Sequence, residues 1–93
     1  MSNTVKIVFF SDAGHGWGRV PHSLITELGI ADKISEFSYQ DRDYVYLEED
    51  CDLSLCIHEL TLAGFREHIV HRKPVNRSSI RKLPRYEALK TAA

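Results

Sequence analysis

Two stretches of this chain close in the same way, and the repetition narrows the folds open to it. Leu24, Ile25 and Leu28 fall at helical spacing and are followed by Gly29 and Ile30. Leu53, Cys56, Ile57 and Leu60 form a second such stripe, followed by Gly64 and Phe65. A glycine just past the last helical turn supplies the left-handed residue, and the apolar residue after it can pack back on the helix. The spacing predicts helices over 22–28 and 53–63. Pro21 suits the first position of the first helix, and Asp50 or Asp52 can cap the second.

The runs between and around these helices are β-branched and aromatic. Val5 to Phe10 is apolar on both faces and reads as a central strand. Ile34 to Tyr39 and Tyr44 to Leu47 read as two short strands, with Gln40-Asp41-Arg42-Asp43 as a connection of hairpin length. Phe65 to His71 forms a last strand, and Pro74 stops it. The expected fold is α+β, ferredoxin-like, in the order βαββαβ, an antiparallel sheet with two helices on one face. Ser11 to Gly18 is either a glycine-rich loop or the turn of a hairpin continuing through Trp17-Gly18-Arg19-Val20; the second case adds a strand at residues 15–20. From Val75 onward no period is sustained, so residues 1–74 are expected to form a single domain and 75–93 an extended, partly ordered basic arm.

A chain of 93 residues has room for one core, and its 43% apolar and 27% charged content argues against global disorder. No apolar stretch approaches the roughly eighteen residues needed to cross a bilayer, so no membrane association is expected. Met1 to Lys6 lacks the charged and long apolar regions of a signal peptide. Cys51 and Cys56 are expected as reduced thiols, consistent with a cytoplasmic setting. The net charge of −1 hides a split: residues 1–64 carry four Lys/Arg against eleven Asp/Glu, whereas residues 65–93 carry eight against two. Such a split suits a tail that binds a polyanion or docks on another copy, and equally a basic segment folded back on its own acidic body.

Gly14-His15-Gly16-Trp17-Gly18 is the most unusual local sequence. Alternating glycines between a strand and a helix are compatible with a phosphate-cradling turn, but Arg19 stands where G-x-G-x-x-G requires glycine. The simpler reading is a turn that uses positive φ around a large indole, with Trp17 as a core or interface anchor. Glu48, Glu49, Asp50 and Asp52 form an acidic patch that could hold a divalent cation, or merely serve the positive end of a helix. His15, His22, His58, His68 and His71 lack zinc-ligand spacing, no nucleophile motif is present, and neither a metal nor a cofactor is expected. Arg77, Arg81, Lys82 and Arg85, with Tyr86, form a basic and aromatic arm suited to phosphates and bases or to an acidic protein face. Leu55 and Leu62 fall away from the predicted buried stripe of the second helix and suggest a spare apolar face for self-association, most simply a dimer.

At Gly14-His15-Gly16-Trp17, Val20-Pro21, Leu28 to Ser35, Tyr46 to Asp52 and Arg66-Glu67-His68 the chain resembles a family of small uncharacterised proteins encoded by bacteriophages and plasmids of proteobacteria. The resemblance spans roughly residues 5–86 and brings no activity or catalytic residue with it. It implies a mobile-element origin and the cytoplasm of a bacterial host. Residues 72–85 are longer and more basic than the resemblance leads one to expect. The function expected is that of a non-enzymatic interaction protein, which inhibits a bacterial defence or regulatory complex by binding a host protein. Its contact residues would be Trp17, Arg19, Leu55, Leu62 and the arm. The alternatives are a nucleic-acid or nucleotide binder using the Gly14–Gly18 turn and the arm, and a small metal-dependent hydrolase built on the acidic patch with a histidine.

Overall fold

The computed structural model describes residues 3–88, which form a five-stranded mixed sheet and two α-helices, an α+β arrangement. Strand β1 (Thr4–Ser11) turns through residues 12–15 into β2 (Gly16–Pro21). Helix α1 (His22–Glu27) follows, then β3 (Tyr39–Gln40), β4 (Tyr44–Glu48), helix α2 (Asp52–Leu62) and β5 (Arg66–His71). The sheet order is β3-β4-β2-β1-β5; β5 runs parallel to β1, and the other neighbours are antiparallel.

The order therefore departs from the expected βαββαβ by one strand, and the sheet is mixed rather than wholly antiparallel. The addition is the hairpin alternative at the glycine-rich segment. Asp12 makes that turn: its Oδ1 accepts the N–H groups of Gly14 (3.0 Å) and His15 (3.1 Å), and its own N–H donates to the His15 carbonyl. A carboxylate that caps the amides following it is a strong turn former. The expected strand over 34–39 shrinks to Tyr39–Gln40 for a comparable reason. Ser35 and Ser38 give their hydrogen bonds to Asp52, which holds the segment before Tyr39 out of the sheet.

Both helix endings are as expected. Gly29 (φ 71°) and Gly64 (φ 87°) take the left-handed conformation, and Ile30 and Phe65 donate back to the carbonyls of Ile25 (3.2 Å) and Leu60 (2.9 Å). The glycines of the hairpin do something else. None has positive φ; what they supply is space. A Cβ on Gly18 would lie 2.6 Å from Leu53, and one on Gly16 would overlap the Phe9 ring. Gly18 thus lets α2 settle closely on the sheet, which positions the loop before α2 beside Trp17.

The two faces of the sheet are covered by different parts of the chain. On one, Ile7, Val20, Val45 and Leu47 meet Ile25 and Ile30, from α1 and its Gly-terminated end, together with Leu53, Cys56 and Leu60 of α2. On the other, Phe10, Trp17, Tyr39 and Tyr46 form an aromatic layer under Ile80 and Leu83. These last two belong to the segment expected as an extended, partly ordered basic arm. Residues 76–88 instead run across the sheet as a strap, with a single 3-10 turn at Ser79–Lys82. Gln40 N–H donates to the Pro84 carbonyl and Tyr86 N–H to the Ser38 carbonyl, while Arg85 bridges to Tyr39. Of the two readings of the charge split, the described residues follow the fold-back. Residues 89–93 of the expected arm lie outside the described residues.

Candidate binding groove

Where the hairpin turn, the loop before α2 and the strap converge, they leave an open groove of about 290 Å³. Its walls include His15, Trp17, Phe37 and Tyr39 on the aromatic side, and Glu48, Asp50, Cys51, Arg81 and Arg85 on the polar side. Trp17 is buried to within 1% of its surface and meets Tyr39 edge-on, with ring centroids 6.2 Å apart. The Arg81 guanidinium lies over the Trp17 ring at 5.3 Å and that of Arg85 over Tyr39 at 5.4 Å. Arginine stacked on rings offers both a charge and a flat apolar surface. The Trp17 indole N–H has no hydrogen-bond partner among the described residues.

The two guanidiniums differ in freedom. Arg81 is clamped by both oxygens of Asp12, with Nε 2.6 Å from Oδ2 and an Nη 2.9 Å from Oδ1, and the same carboxylate accepts Ser78 N–H (2.9 Å). Arg81 first, then the Ser78 amide, hold the Asp12 carboxyl far below the usual carboxylate range, against the opposing pull of burial. Arg85 makes a single bond to the Glu36 carbonyl (2.9 Å) and is otherwise exposed. Phe37, 59% exposed, projects from the same rim.

The acidic patch does not act as a unit. Glu48 is buried and accepts the N–H groups of Asp50 and Cys51 (both 3.1 Å), which tightens the loop into α2. Asp52, also buried, turns away to bind Ser35 N–H and the hydroxyls of Ser35 and Ser38. Asp52 is thus the first residue of the helix and its cap is Cys51, with no side-chain bond, so neither Asp50 nor Asp52 caps as expected. Glu49 and Asp50 are exposed. Among the described residues no three His, Cys, Asp or Glu side chains converge on a point where a metal ion could sit. Cys51 is exposed, but partial desolvation and then the carboxylates of Glu48, Asp52 and Asp50 raise its thiol pKa, which makes it a poor nucleophile. Burial pushes the Cys56 thiol up to about 11.

Of the contact residues expected from sequence, the groove gathers Trp17, Arg81 and Arg85 beside Glu48 and Asp50. Arg19 lies apart on the sheet, its guanidinium 5.4 Å from the Phe10 ring centre and 4.6 Å from that of Tyr44. Tyr86 is a core residue whose hydroxyl donates to the Ala31 carbonyl. Leu55 is half-buried against the core, so the spare apolar face reduces to Leu62, which is 69% exposed. Arg77 borders a second, basic hollow of about 270 Å³ with Lys73, Ser78 and Ser79, and Lys82 is exposed. The residues sequence reasoning missed are Asp12, Phe37 and Tyr39. Asp12 carried a readable signal, an Asp two positions before a glycine in a tight connection. Phe37 carried none, since an aromatic residue inside an apparent strand reads as core.

No family model, curated protein or solved structure matches this chain. No helix among the described residues is long and apolar enough to cross a membrane.

Proposed function

We propose that the protein is a non-enzymatic interaction module, and that it seats a segment of a partner protein in the groove between the hairpin turn, the α2 entry loop and the strap. The observation that carries this reading is the composition of the groove: tryptophan, tyrosine and stacked arginine around an open cleft, with Phe37 exposed at its rim. These residue types dominate binding energy at protein interfaces. The resemblance to mobile-element proteins adds the setting. The partner would be a host defence or regulatory protein, and occupation of its surface would inhibit it.

The nucleotide-binding alternative is less well supported. The Gly14 and His15 amides that would cradle a phosphate already bind Asp12, and Arg81 is neutralised by the same carboxylate. The hydrolase alternative loses two of its four carboxylates, because Glu48 and Asp52 are engaged inside the fold, and no histidine or cysteine converges with the remaining Glu49 and Asp50 among the described residues. The test is affinity capture from lysate of a bacterial host with the native chain and with Phe37→Ala and Arg85→Glu, each with and without nuclease. The expected result is a protein retained by the native chain, lost with either substitution and indifferent to nuclease. Retention that nuclease abolishes, or that survives both substitutions, overturns the reading.

A further inference from the structure

The outer edge of β5 lies on the opposite side of the sheet from the groove, and no described strand pairs with it. Its backbone has a fixed parity. Arg66 N–H donates to the Asn3 carbonyl and Arg72 N–H to the Phe9 carbonyl, so in this parallel ladder the even positions 66–72 bond toward β1. Glu67, Ile69 and His71 therefore present their N–H and C=O groups outward. An edge of this kind accepts another strand, and what the strand must look like follows from the side chains it would face.

We propose that this edge pairs with the same edge of a second copy, antiparallel and centred on Ile69, joining two five-stranded sheets into one. The parity requires outward-facing positions to lie opposite one another, and of the two-fold registers that allow this, centring on Ile69 is the one that pairs Glu67, Ile69 and His71 among themselves; centring on His68 would set His71 opposite Phe65, whose N–H is already given to the Leu60 carbonyl. Ile69 then meets Ile69. On the same face Glu67 meets His71 twice, once on each side of the axis, an opposite-charge or hydrogen-bonded pair directly across the strands. On the other face His68 meets Val70. Only Arg66 opposite Arg72 opposes the pairing, and both are exposed at the strand ends. Three of the exposed large apolar side chains, Leu62, Phe65 and Val75, flank this strand. The proposal is independent of the groove and moves self-association from Leu55 and the strap, which the fold occupies, to β5.

Sedimentation equilibrium over a roughly hundredfold concentration range tests it, since dimers obey mass action. The native chain should dimerise. Glu67→Lys should raise the dissociation constant roughly tenfold, because two symmetric contacts each lose the carboxylate that faces His71. The double substitution Glu67→Lys/His71→Glu should restore it, and Arg72→Glu should tighten the dimer by pairing with Arg66. Circular dichroism checks that each variant is folded. Amide exchange supplies a second readout. Glu67, Ile69 and His71 amides should gain protection with concentration, whereas those of His68 and Val70 are protected throughout. A chain that stays monomeric, a dimer whose Glu67, Ile69 and His71 amides exchange freely, or a double substitution that fails to restore pairing overturns the proposal.

Discussion

Asp52 shows how a single side chain can look like a site and act as a joint. It stands beside Glu48, Glu49 and Asp50 in the chain, yet its carboxylate reaches across to Ser35 and Ser38 and ties α2 to the segment before β3. Removing it leaves an amide and two hydroxyls without their acceptor in a largely buried place. Asp52→Ala should therefore cost about 2–3 kcal/mol in denaturant unfolding. Glu49→Ala, at an exposed position, should change stability by less than about 0.5 kcal/mol in the same measurement. Equal losses from the two would mean that the acids act together after all. Gly18 gives a second test at this scale. An added methyl would press on Leu53 at 2.6 Å, so Gly18→Ala should destabilise, overpacking of about 1–3 kcal/mol outweighing the gain of about 0.4–1 kcal/mol from reduced chain entropy.

Among the elements, the strap changes the most from what its sequence suggests. Ile80 is buried against Trp17, Tyr39 and Tyr46, and Ile80→Ala should cost about 2–4 kcal/mol by thermal or denaturant unfolding. Truncation after Val75 should unfold the domain, because Tyr86 and the backbone bonds to Gln40 and Ser38 would go as well. The Asp12–Arg81 clamp makes this element sensitive to acid. Asp12 has its pKa lowered in the folded state, so its contribution is complete above the ordinary value of 3.8 and is lost as the pH falls below it. Unfolding midpoints should begin to drop below about pH 5 and keep falling through and beyond pH 3, and Asp12→Asn should remove part of that dependence by being destabilised already at neutral pH. A native-like midpoint for Asp12→Asn would show that the clamp contributes nothing. Both helices, their glycine endings, the Tyr39–Tyr44 hairpin and β5 were legible in the sequence, because each rests on local periodicity or on one residue's backbone preference. The strap was not. Its anchors Ile80, Leu83 and Tyr86 stand three apart, which matches neither the two-residue alternation of a strand nor a sustained helical stripe, and they serve different cores: Ile80 and Leu83 lie on the aromatic layer, whereas Tyr86 joins the opposite face. The groove was half legible: Trp17, Arg81 and Arg85 stood out by type, but their meeting depends on the strap crossing the sheet, and nothing local encodes that.

At the scale of the whole molecule, the sheet has one edge closed and one open. The strap meets β3 at one side through Arg85 and Tyr39, whereas β5 at the other has no partner among the described residues. The groove lies toward the first side and the proposed self-pairing at the second, so the two surfaces can be occupied together. Thermal midpoints should rise with protein concentration in the native chain, as folding coupled to association requires, and for Glu67→Lys the rise should move to roughly tenfold higher concentration. Phe37→Ala should leave those midpoints within about 0.5 kcal/mol of native stability, because its side chain is mostly solvated, while abolishing capture of the partner. A concentration-independent midpoint in the native chain would count against association at any edge.

Covering the two faces of the sheet with different parts of the sequence also sets an order in time. The layer formed by Phe10, Trp17, Tyr39 and Tyr46 is translated before the strap that roofs it, while both helices are already available for the other face. At about 5–20 residues per second, the interval between Tyr46 and Ile80 is on the order of seconds, and for that time a nascent chain carries four aromatic rings without their cover. The surface shielded last is thus the one most open to a chaperone or to a neighbouring nascent chain, because all five strands precede in the sequence the segment that covers this face.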